Sequence, residues 1–179
     1  MTDTTDLADR WQDGSLAGRW VLSPDRTTVA FRSTSMWGLV KVNGRFNRVQ
    51  GEGTFDPSGA ISGRLVIDVA SVDTGKAKRD THLKSTDFFD AATNNHITFL
   101  ATDVAVKDDN RLYVSGELTI AGQSHPYSLD VTVTDLDETG VTLAASAVID
   151  RSQWGIAWTK LGMTNMDTGV DIQARFTRR

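Results

Sequence analysis

Residues 61–70 read ISGRLVIDVA, in which Ile61, Leu65, Ile67 and Val69 fall on one face while Ser62, Arg64 and Asp68 fall on the other. A period of two marks a strand with one face buried and one in water. The same alternation recurs downstream: Leu112, Val114, Leu118 and Ile120 in Arg111–Ile120, Tyr127, Leu129, Val131 and Val133 in Pro126–Asp135, and Val141, Leu143, Ala145, Ala147 and Ile149 in Val141–Asp150. Turn signals separate the runs at Asp56–Gly59, Asp108–Asn110, Ala121–Gln123 and Asp137–Gly140, and links this short join antiparallel neighbours. With Arg19–Leu22, Thr28–Met36, Leu39–Phe55, His96–Val106 and Val170–Thr177 added, the sequence predicts an all-β chain of about eight or nine strands. An up-and-down meander of that size closes into a barrel that holds either packed side chains or one slender ligand.

At 179 residues the chain is read as one domain, residues 19–179, preceded by an extension, residues 1–18. Within the extension, Thr5–Leu16 is a candidate short helix with Leu7, Trp11 and Leu16 partly on one side. The formal net charge of -4 gives no basic footprint, so nucleic acid is excluded as an expected partner. There is no cysteine, which removes disulfides, thiolate catalysis and cysteine-ligated metal centres together. Neither a secretory leader nor an apolar run long enough to span a bilayer is visible, so the expected location is cytoplasmic.

Two blocks interrupt the meander. The first, Ser71–Asp90 or SVDTGKAKRDTHLKSTDFFD, stops a strand at Gly75 and continues through good helix formers, so a short helix is expected after the fourth run, anchored by Leu83. Phe88 and Phe89 then follow one another, and in an extended segment neighbours cannot share a face; the block is expected to cap or wall the barrel. The second, Arg151–Gly169, carries Trp154, Ile156, Trp158, Leu161, Met163 and Met166. A connection of this length inside a compact domain is usually functional, and this one is expected to be a lid or pocket wall.

The first block resembles the signature of the YceI-like family, lipocalin-like barrels of bacteria. The matching residues are Ser71, Thr74, Gly75, Arg79, Asp80, His82, Leu83, Asp87, Phe88, Phe89 and Asp90, followed by Ile97-Thr98-Phe99, Gly116–Ile120 with Gly122, and Asp150-Arg151-Ser152 with Gly155-Ile156. At Ser23–Phe31 the chain departs from the family's opening motif, with Arg26 where a histidine is usual. The resemblance implies an extended antiparallel barrel around a long amphiphilic lipid such as a polyisoprenoid or an isoprenoid quinone, in a non-catalytic carrier, store or sensor.

On that basis Phe31, Trp37, Phe46, Phe88, Phe89, Phe99, Trp154, Trp158, Leu161, Met163 and Met166 are candidate cavity-lining residues, and Arg79 and His82 candidate head-group contacts. The competing reading makes Arg79 and Asp80 a structural pair or cap. The three histidines, His82, His96 and His125, lack metal-ligand spacing, and no GxSxG or GxGxxG motif is present, so neither catalytic residues nor metal nor cofactor is expected. A partner-binding scaffold without a lipid is the alternative, and a homodimer formed through outward apolar residues stays open.

Overall fold

The computed structural model describes residues 6–36, 38–159 and 162–179. Trp37 and Leu161 therefore lie outside the described residues. The elements are α1 (Asp6–Gln12), β1 (Gly18–Leu22), β2 (Thr28–Ser35), β3 (Val40–Phe46), β4 (Val49–Phe55), β5 (Ile61–Asp68), β6 (Val72–Asp73), α2 (Ala77–Leu83), β7 (His96–Asp108), β8 (Arg111–Ile120), β9 (Gln123–Leu136), β10 (Gly140–Asp150) and β11 (Asp167–Arg178).

All described strand pairings are antiparallel, and the ring β1-β4-β5-β7-β8-β9-β10-β11 closes where Leu22 pairs with Phe176 and Trp20 with Arg178. Eight strands thus form the barrel, while β2, β3 and β6 extend it at one end, β2 pairing with the first half of β11. The reason is a set of corners at one level. The chain bends between β1 and β2 at a 3-10 turn, Pro24–Arg26, between β3 and β4 at Asn47-Arg48, and between β5 and β6 at Val69–Ser71. Ser71 ties two of these corners: its carbonyl accepts from the Asn47 N–H at 3.1 Å and its hydroxyl oxygen from the Arg48 N–H at 3.0 Å. The single run expected over Leu39–Phe55 is therefore two strands, β3 and β4, because a residue distant in sequence takes over the backbone donors at the bend.

Two seams follow. Among the described residues no strand lies beyond β6, and α2 packs beside β6. Pairing between β9 and β10 runs only from Val141–Leu136 to Ala144–Thr132, so beyond Ala144 those strands part. Trp154 wedges there: its ring meets His125 and Tyr127, and its Nε1 donates to the Leu118 carbonyl at 3.0 Å. The buried apolar residues form two clusters, and Phe99 and Phe176 pack against both.

Near the end of β11 the Arg175 side chain is 3% exposed and donates to Asp135 at 2.7 Å and to Asp137 at 2.6 Å. The Thr139 hydroxyl, then Arg175 and the turn's backbone N–H groups, hold the Asp137 carboxyl far below the usual carboxylate range. A depressed folded pKa stabilises the fold above the ordinary value of 3.8 and loses that contribution as pH falls beneath it. Urea midpoints should therefore drop on acidification below pH 3.8, and Asp137→Asn should flatten that drop while lowering the neutral-pH midpoint. An unchanged acid slope in the variant would assign the drop to other carboxylates.

Candidate ligand cavity

Alternation places the odd residues of β5, Leu65 and Ile67, and those of β7, Ile97 and Phe99, on the inner wall. At the extended end they surround a cavity of about 550 Å³, together with Val29 and Phe31 of β2, Val42 and Phe46 of β3, and Ala147 and Ile149 of β10. The size suits one ligand, since such sites occupy roughly 300–1,000 Å³. A second cavity of about 250 Å³ lies towards α1, and Leu65, Phe99, Leu129 and Ile172 line both.

Of the expected lining residues, Phe31, Phe46, Phe88, Phe89, Phe99, Trp158 and Met163 line the larger cavity. Phe88 and Phe89 both do so, because the chain coils tightly after α2: the Phe88 N–H donates to the Ser85 carbonyl and the Phe89 N–H to that of Leu83. Phe88 then meets His82 and Trp158, with centroids 5.2 and 5.3 Å away, and Phe89 meets Phe46 at 6.0 Å.

Two expectations are corrected. Trp154 is 2% exposed and belongs to the core, not to the cavity wall, since a 3-10 turn over Arg151–Trp154 rotates it onto the β9 seam. Met166 is not on the wall either. An Asn165 side chain that accepts from the Asp167 N–H bends the chain there, so the alternation from Thr164, which does line the cavity, is not continued.

Arg79 and His82 lie three residues apart on α2, hence on one helix face, and both line the cavity. Thr74 is the hub beneath them. Its N–H and hydroxyl donate to Asp80 at 2.9 and 2.6 Å, while its hydroxyl oxygen accepts from Arg79 Nε at 2.9 Å. Asp80 thus takes up donors of the loop before α2, while Arg79 donates to the Thr74 hydroxyl oxygen and carbonyl, and among the described residues no carboxylate pairs with the guanidinium. His82 Nε2 lies 2.7 Å from Asp87 Oδ2, and its ring stands edge-on to Trp158 at 4.5 Å.

Arg151 was not singled out as a contact, yet it lines the cavity while only 8% exposed. It donates to the carbonyls of Ile156 and Trp158 at 2.8 Å each and to that of Asn165 at 3.3 Å. One side chain thus ties together three points of the second block, Ile156, Trp158 and Asn165. Its guanidinium also sits 5.5 Å from the Phe88 ring centre. Burial lowers its pKa, and the nearby Asp150 only partly opposes this. The sequence signal was a lone arginine at the head of an apolar segment. Tyr127 and the Ser33-Thr34-Ser35 run of β2 are further polar lining groups that the alternation alone did not distinguish.

The histidines stand on separate elements: His82 on α2, His96 at the start of β7 and His125 against Trp154 in β9. Among the described residues no three metal-ligating groups come together.

A closed antiparallel barrel with strands extended past one rim and an apolar hollow along its axis defines a lipocalin-like architecture. The model of the YceI-like domain matches residues 20–177, and the chain belongs to that family. It is 38% identical over 91 residues to a UPF0312 protein of Vibrio cholerae, covering 50% of this chain and 48% of that one, and 34% identical over 99 residues to a UPF0312 protein of Shewanella denitrificans, covering 54% and 52%. The chain thus spans about half the length of the curated relatives it matches. Among solved structures, BcnA of Burkholderia cenocepacia superposes with a TM-score of 0.77 at 25% identity, covering 86% of this chain and 98% of that one. A polyisoprenoid binding domain from Saccharophagus degradans, implicated in plant cell wall breakdown, shares the fold with a TM-score of 0.74 at 19% identity, covering 89% and 98%.

Proposed function

We propose that the protein binds a long amphiphilic lipid of the isoprenoid type, a polyisoprenoid or an isoprenoid quinone, and acts as a non-catalytic carrier, store or sensor in the cytoplasm. The observation that carries this reading is the apolar cavity of about 550 Å³ with three basic groups, Arg79, His82 and Arg151, on its wall. Aliphatic and aromatic walls favour a hydrocarbon tail, each buried methylene contributing about 0.8 kcal/mol. Arg79 and His82 on α2 suit an electron-rich oxygen on the head group, and Trp158 and Phe88 provide flat faces beside it. A partner-binding scaffold would need the Arg151–Gly169 segment turned to solvent, whereas Ile156, Trp158 and Met163 line the cavity, which favours the lipid.

Mass spectrometry of an organic extract from protein purified without detergent is the test. A stoichiometric isoprenoid supports the reading; an empty extract together with no binding of added isoprenoids overturns it. Trp158→Ala should weaken a bound isoprenoid about tenfold by removing one wall aromatic, and equal affinity in titration calorimetry would remove Trp158 from the site.

A further inference from the structure

We infer that the N-terminal helix α1 is the floor of the ligand tunnel and sets the length of apolar tail that the barrel accepts. The inference rests on the lipid reading above. Helix α1, Asp6–Gln12, lies before residue 20, where the family match begins, so this floor lies outside the matched domain.

The smaller cavity, of about 250 Å³, takes part of its wall from Leu7, Trp11 and Leu16. Leu7 and Leu16 are each 6% exposed, and the Trp11 ring meets Phe55 edge-on at 4.8 Å. Polar groups of the barrel fasten the segment in place. The Arg178 guanidinium donates to the carbonyls of Ser15 and Ala17 at 2.7 Å each, and Trp20 Nε1 donates to the Leu16 carbonyl at 3.0 Å.

An apolar hollow leaves its lining atoms without partners on one side, and a hydrocarbon guest restores those contacts where water does not. The way in is from the larger cavity, since Leu65, Phe99, Leu129 and Ile172 line both. A tail longer than the larger cavity can hold passes these residues and ends against α1. Beside the passage the inner wall is low: Gly63 is in register with Ala101, and a Cβ at Gly63 would meet only atoms 3.5 Å away or farther.

The experiment is calorimetric titration of the full chain with farnesol, geranylgeraniol and successively longer all-trans prenols, using wild type, Trp11→Ala and Gly63→Leu. Wild-type affinity should rise with length and then level off. Trp11→Ala, which removes part of the floor at a half-buried position, should move the levelling point to longer prenols. Gly63→Leu should move it to shorter ones, losing about ten- to hundredfold for the longest prenol while farnesol binds as before. Retained farnesol binding reports that each variant is folded, and Gly63→Ala, which introduces only ordinary contact, serves as a second control. If all three proteins level off at the same length, α1 is no floor and the inference falls while lipid binding stands. If wild type binds no prenol of any length, the lipid reading fails, and the inference with it.

Discussion

Replacing Ala147 by tryptophan is expected to abolish isoprenoid binding, with a loss of at least about hundredfold in affinity, while leaving the barrel folded. Ala147 lies on β10 and lines the larger cavity, at the level where β9 and β10 have parted. An indole there grows into space that holds no protein atoms, so it meets little of the strain that overpacking a filled core imposes. It removes the volume a tail would need and covers the approach to Tyr127 and Ile149, which line the same wall. Calorimetry with a prenol that saturates wild type decides the matter. Wild-type affinity in Ala147→Trp, with an unchanged thermal midpoint, would place the ligand elsewhere on the molecule.

The second large effect concerns stability. A Cβ at Gly116 would stand 2.0 Å from the Leu100 carbonyl oxygen and 3.0 Å from the Phe99 ring. Both belong to β7, which pairs with β8 through Ala101–Gly116 just before an irregularity in register between Ala101 and Asp103. Backbone cannot give way as the end of a flexible side chain can, so Gly116→Ala must open the β7–β8 ladder. The expected cost is about 4 kcal/mol or more, a large part of a domain's total stability. Gly63→Ala, on the same inner wall, should change the urea midpoint little, because its nearest obstacle is 3.5 Å away. Equal midpoints for the two variants would show that the ladder can relax around Gly116.

Much of the barrel is legible because a strand with one buried face writes its period into the chain. Leu112, Val114, Leu118 and Ile120 are all buried in β8, as their spacing requires. The turn residues are equally local: Asp56 and Asp137 each accept hydrogen bonds from backbone N–H groups two to four residues on. The motif block Ser71–Asp90 placed Arg79, His82, Phe88 and Phe89 together on one cavity wall because a seven-residue helix and the turns after it bring near neighbours into contact.

Positions in the second block were harder to read. Trp154 and Trp158 look equivalent as large apolar groups of one segment, yet one fills a seam and the other lines the hollow. What separates them is where β9 leaves β10, a property of two strands that neither sequence states. Arg151 is similar: its three carbonyl partners, on Ile156, Trp158 and Asn165, exist only once the loop has closed over it.

By itself, then, the sequence determined an antiparallel barrel, the inward set of apolar residues, the short helix after Gly75 and the family motif, all of which depend on spacing within one element or one turn. The tertiary structure alone decided where the chain turns its corners between β1 and β2, β3 and β4, and β5 and β6, that Ser71 satisfies the donors of another corner, and that α1 supplies part of the wall of the smaller cavity. Those outcomes depend on which backbone groups meet across the sheet and on how much space the facing side chains leave, and a period along one strand carries no information about the partner it will meet.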